Sequence, residues 1–131
     1  MNRNLEENLA QLESELGYEI TFDLVIRRLK VAHKQAALVF FDGFVNDMAT
    51  IHIMRALQTI PRMGITQATL EHLLHEHIPF FEVSTADSLE AAIEELLSGT
   101  MLLLIDGVKD IAVLDVRQYV TRGSEEPTLE K

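Results

Sequence analysis

The sequence predicts an α/β domain: a mixed β-sheet of about four to five strands with helices packed on it. Three observations carry this. Continuous apolar runs at Ala36 to Phe41 and Met101 to Ile105 are strand-sized, and the first suits a strand buried on both faces. Amphipathic repeats of helical period lie between and before those runs. Turn and capping residues separate the segments at short intervals, giving the order α β β α α β α β β.

Leu5, Leu9, Leu12 and Leu16 recur at helical spacing, and Gly17 is placed to end that helix. The stripe is narrow and the remaining faces are acidic (Glu6, Glu7, Glu13, Glu15), which suits packing along one seam. That seam is expected on the chain's own domain, with a partner helix as the second option. Phe22 to Val31 alternates β-favouring residues and reads as a strand, and Ala36 to Phe41 as a second. Asp42-Gly43 ends it. Asn46 or Asp47 is expected to cap a helix running to about Thr59, with Met48, Ile51, Met54, Arg55 and Leu57 along it, and Pro61 stops it. Thr66 begins another helix, with Leu70, Leu73, Leu74 and Ile78 on one face. Phe80 to Ser84 is a short strand. Asp87 with Glu90 resembles a capping box for a helix bearing Leu89, Ala92, Ile93, Leu96 and Leu97, closed by Gly99. Met101 to Ile105 and Ile111 to Val116 form a hairpin around residues 106–110.

A chain of 131 residues fits one domain, and an apolar content of 47% is enough for one core. No run reaches the roughly 18 apolar residues of a membrane helix, and the acidic amphipathic start is not a signal peptide. The given chain is therefore expected to be soluble. The absence of cysteine excludes disulfides and thiolate chemistry. The net charge of −10 argues against a nucleic-acid partner, which needs a positive face. The one basic cluster, Arg27, Arg28, Lys30 and Lys34, reads as a solvated strand face rather than a phosphate or headgroup site. The closing stretch from Arg122 is polar and turn-rich and reads as a linker rather than as core.

Few residues suggest chemistry. His72 and His75, three apart on a helix, share a face, as do Glu71 and His75 four apart. With His77 and Glu76 these form the most metal-like group, but the order is not His-Glu-x-x-His, and His77 falls on another face near the helix end. Histidine near a helix C-terminus is also favoured by the dipole alone. Asp42, Asp106, Asp110 and Asp115 offer carboxylates, but each sits where a turn or strand end places an aspartate anyway. No nucleophile elbow or glycine-rich phosphate loop is present. The expectation is no enzyme, no metal and no cofactor. A ligand, if bound, would sit at strand C-terminal ends near Asp42, Gly43, Asp106 and Gly107, as α/β topology dictates. Leu5, Leu9, Leu12 and Leu16 are the candidate partner contact.

Several segments in order resemble a known family. Asp23 to Val31 followed by Lys34 to Val45, then Ala91 to Gly99 with Leu102 to Gly107, and finally Arg122-Gly123-Ser124-Glu125-Glu126-Pro127, are similar to the N-terminal cytoplasmic domain of GerA-type spore germination proteins. Arg117-Gln118-Tyr119 and Glu125 to Lys131 are closer to the SpoVAF type than to receptor A subunits. Where the family has a glycine pair before the lysine, this chain has Ala32-His33, so the turn there is expected to need another conformation. Residues 1–18 are the N-terminal amphipathic helix read from the leucine spacing, and the resemblance, which spans about residues 20 to 131, implies 19–121 as an α/β subdomain and 122–131 as a linker to a second subdomain and membrane region. It further implies a place at the inner spore membrane, with this domain on the cytoplasmic, spore-core side. Other germination membrane proteins are the implied partners, with an oligomer allowed. The implied function is assembly or signalling in germinant response and ion release. A small-ligand-sensing domain is the first alternative, a metal-dependent enzyme the second.

Overall fold

The computed structural model describes residues 4–17, 23–45, 47–79 and 81–117. The expected linker, 122–131, and the expected strand and helix positions Phe22, Asn46 and Phe80 lie outside them. The described residues form four helices and five strands in the expected order. They are α1 (Leu5–Leu16), β1 (Leu24–Val31), β2 (Lys34–Phe41), α2 (Asp47–Gln58), α3 (Gln67–His77), β3 (Glu82–Ala86), α4 (Leu89–Leu97), β4 (Met101–Ile105) and β5 (Ile111–Asp115).

The strands form one sheet in the order β1-β2-β4-β5-β3. All four pairings are antiparallel, where a mixed sheet was expected. The continuous apolar runs report burial on both faces, not strand direction. Here two hairpins, β1–β2 and β4–β5, fix the directions, and helices still cover both sides.

Strand alternation sorts the core into two layers. Ala37, Val39, Leu102, Leu104, Ile111 and Val113 face α1 and α4, meeting Leu5, Leu9, Leu12, Leu16, Ala92 and Leu96. Ala36, Leu38, Phe40, Met101, Leu103, Ala112 and Leu114 face α2 and α3, meeting Ala49, Ile53, Leu57, Leu70, Leu73 and Leu74. The α1 leucine stripe is thus buried in the chain's own core, each leucine at 6% exposure or less. Fully burying one leucine stabilises by about 1.5–3 kcal/mol.

Local signals set the ends. Asn4 caps α1, its side chain accepting from the Glu7 amide (3.0 Å). Gly17 closes it at a φ of 87°, its amide bonding the Glu13 carbonyl, a conformation that a side chain would strain. Thr66 caps α3 through a reciprocal box with Thr69. The cap of α4 is Ser88, one residue later than the Asp87–Glu90 spacing suggested, because the Ser88 hydroxyl accepts from the Ala91 amide (3.1 Å). On α2 the inward face is Ala49, Ile53 and Leu57, while Met48 and Ile51 look outward.

The β1–β2 loop is the two residues Ala32 and His33, with φ of 53° and 74°. Both occupy the left-handed conformation that glycine favours and that a right-twisted two-residue hairpin requires. The glycine-free pair therefore keeps the tight turn, contrary to expectation: the full eight-residue register of β1 on β2 leaves it no room for another shape.

Candidate functional site

The antiparallel pairing of β2 with β4 decides where the aspartates fall. Ala36 lies opposite Ile105 and Val39 opposite Leu102. Asp106 therefore sits beside the start of β2, its amide on the Gln35 carbonyl (2.8 Å). Asp42 and Gly43 leave the other end of β2. The two Asp-Gly exits are separated by the length of the strand, about 20 Å at 3.3 Å per residue. The structure does not bring Asp42, Gly43, Asp106 and Gly107 into one site, since ligand-binding at a shared edge of strand C-termini needs parallel neighbours.

Each exit has its own work. At the first, the Asp106 carboxylate accepts the backbone N–H of Leu5 (2.9 Å), one of the amides that the first turn of α1 leaves without a helical partner. At the second, the Asp42 amide bonds the Asp23 carbonyl (2.9 Å) and the Phe44 amide the Phe41 carbonyl (3.1 Å). Phe44 packs edge-on to Phe41 with ring centres 6.2 Å apart, yet remains half exposed. Gly99 lies under this corner: a Cβ there would stand 3.7 Å from the Phe44 ring and 3.6 Å from the Arg117 side chain.

Arg117 is the residue that sequence reasoning missed. Its Nε and Nη2 donate to the two carboxylate oxygens of Asp115 (2.9 and 2.8 Å), a bidentate pair. Its backbone N–H also donates to Asp115 Oδ1 (3.2 Å). The Arg117 bond holds the Asp115 carboxyl below its ordinary range, and Asp115 with the nearby Glu95 and Glu82 charges holds the guanidinium above its own. The signal was only two like-spaced opposite charges at a strand end, which gives no hint of a clamp.

Two open troughs lie between α4 and the β3–β5 edge, of about 360 and 340 Å³. They share Ser84, Glu95 and Val113; Asp115 and Thr100 line one, Asp87 and Asp110 the other. The Thr100 hydroxyl is already bonded to the Glu95 carbonyl (2.8 Å). On α3, His72 and His75 are exposed, and His75 Nε2 stands 3.9 Å from Glu71 Oε2. Among the described residues no group of three His, Asp or Glu side chains converges on a metal-sized point.

The fold places the chain in a known structural class. It matches the crystal structure of the N-terminal domain of the A subunit of the Bacillus megaterium spore germinant receptor GerK3, with a TM-score of 0.73 and 24% identity, over 88% of this chain and 47% of that one. The chain belongs to the GerA family: the family model described as Bacillus/Clostridium GerA spore germination protein matches residues 10–131. It is 26% identical over 129 residues to stage V sporulation protein AF of Bacillus subtilis (strain 168), covering 98% of this chain and 26% of that protein. It is 28% identical over 130 residues to spore germination protein GerLA of Bacillus cereus, covering 97% and 26%. The chain thus spans about a quarter of the length of these curated relatives. No helix among the described residues is long and apolar enough to cross a membrane.

Proposed function

We propose that this chain is the soluble N-terminal subdomain of a spore germination membrane protein, acting as an assembly or signalling module in germinant response and ion release. It would lie on the spore-core side of the inner spore membrane and contact other germination membrane proteins. The observation that supports this reading most is the family match across residues 10–131 on a fold that sets Asp42 and Asp106 at opposite ends of the sheet. Asp42 and Asp106 serve opposite ends of the sheet, Asp106 is engaged at α1, and His72 and His75 face outward from α3. A non-catalytic role is the natural use of such an arrangement.

The test is a germination protein carrying this domain, compared with the same protein lacking residues 1–117. Loss of co-purification with other germination proteins from dormant-spore membranes, together with impaired germination, is the expected result. Unchanged assembly and unchanged germination would overturn it. Leu9 and Leu12 are unsuitable for a contact-breaking variant, since both are core residues.

The two troughs beside α4 favour a second reading, a small-ligand sensor. It requires a saturable rise in melting temperature with some compound of a broad metabolite screen. A flat response across the screen excludes it.

A further inference from the structure

β1 is an edge strand: β2 occupies one side, and among the described residues no strand occupies the other. Edges are usually kept short, bulged, broken by proline or guarded by charged side chains, lysine above all. This one is eight residues long with an unbroken register. The phase of its free groups follows from the hairpin. Val31 and Lys34 flank a two-residue loop and form a bonded pair, so bonded pairs alternate from there. The Asp42 amide on the Asp23 carbonyl fits that phase. Leu24, Ile26, Arg28 and Lys30 therefore turn their backbone N–H and C=O outward.

The edge is also basic in an acidic chain. Three of the chain's 11 lysines and arginines, Arg27, Arg28 and Lys30, stand on this one strand, against a net charge of −10. Alternation puts Arg27 on one face of the sheet and Arg28 and Lys30 on the other. All three are exposed. Glu6 on α1 engages Arg28 through two hydrogen bonds (2.6 and 3.1 Å). Arg27 and Lys30 make no ion pair among the described residues.

We infer that the outer edge of β1 is a docking site for an extended, acidic segment of another polypeptide, which adds as a sixth strand. The row of outward backbone groups at alternate residues suits strand addition, and the unpaired cations on both faces favour carboxylates on the incoming strand. A second copy of this chain fits worse. The symmetric antiparallel registers that pair most of β1 with itself set Arg27 opposite Arg27, or Arg28 opposite Arg28, which like-charge repulsion disfavours. The inference rests on the interaction reading above and names its surface and the chemistry of its partner.

The experiment titrates the full chain, uniformly ¹⁵N-labelled, with a seven-residue peptide of alternating glutamate and valine. A lysine–valine peptide serves as control. Saturable amide shifts confined to β1, weakened by salt and absent with the lysine peptide, are expected. Lys30→Thr, which keeps the N–H, should weaken binding about two- to fivefold through charge alone. Lys30→Pro, which also removes an outward N–H that β2 does not use, should weaken it by about two- to tenfold more. Thermal melts of both variants check that the fold is kept, and Arg27→Gln gives a second charge test away from the hairpin.

Shifts centred elsewhere, equal binding of the lysine peptide, or no saturation would overturn the inference. So would β1 shifts that depend on protein concentration, which would mean a second copy. A truncation after Arg117 that gains peptide affinity would mean that the chain's own acidic tail fills the edge, and would also overturn it. If the peptide fails while the domain deletion still abolishes assembly, the edge assignment falls and the interaction reading stands.

Discussion

Asp106 Oδ1 accepts the backbone N–H of Leu5 at 2.9 Å across 101 positions of sequence. One carboxylate in the β4–β5 turn thereby ties the first turn of α1 to the middle of the sheet. It places a negative charge where the helix dipole is positive, and it satisfies an amide that Asn4, engaged with Glu7, does not reach.

Asp106→Ala should cost about 1 kcal/mol, the usual loss on removing a helix-cap acceptor. Urea unfolding measures it. Hydrogen exchange should quicken mainly in the first turn of α1. Asp106→Asn, which keeps an acceptor, should lose less.

Leu12 is fully buried between α1, α4 and the sheet. Leu12→Ala should destabilise by about 2–5 kcal/mol, the range for a truncated core leucine. A loss of under 1 kcal/mol in chemical denaturation would mean that α1 leaves the sheet at little cost. That outcome would reopen the leucine stripe as a partner surface.

His33 is exposed and held at φ 74°. His33→Gly should stabilise by about 1 kcal/mol, since a left-handed non-glycine residue costs about that much. Ala32→Gly should be close to neutral, because its buried methyl offsets the relief of strain. Melting temperatures of the two variants separate them.

Arg117 lowers the pKa of Asp115, chiefly through the side-chain hydrogen bond. A carboxylate with a lower pKa folded than unfolded adds stability above its unfolded value. That stability disappears as pH falls through the folded value. The contribution should thus be complete at neutral pH and fade below about pH 4, the ordinary aspartate range. Asp115→Asn should flatten that acid limb and leave the neighbouring slopes unchanged. Stability curves of both proteins from neutral to acid pH check it.

Much of this fold was legible because burial leaves periodicity. The three- and four-residue spacing of Leu5, Leu9, Leu12 and Leu16 marked α1, the unbroken run in β2 marked a strand covered twice, and the run in β4 marked a strand. Strand direction left no such trace, because it depends on which connections return the chain. The expectation of a ligand at strand C-terminal ends leaned on direction too: parallel strands would have put Asp42 and Asp106 side by side, and the antiparallel register sets them apart. The α4 cap was missed by one residue because Asp87 and Ser88 are both good caps, and backbone geometry chose between them. The Asp115–Arg117 clamp and the Asp106–Leu5 bond are single contacts at turns, without any repeat to reveal them.

The β2–β4 register has a consequence for how the molecule is made. Ala36 waits for Ile105, about 70 residues later, and at about 5–20 residues per second the ribosome needs several seconds to supply it. In that interval the β1–β2 hairpin can close, but the apolar strand from Ala36 to Phe41 has no neighbour on its other side. Newly made chains are therefore most prone to wrong association early in synthesis, and a chaperone that shields this hairpin should raise the yield of folded protein.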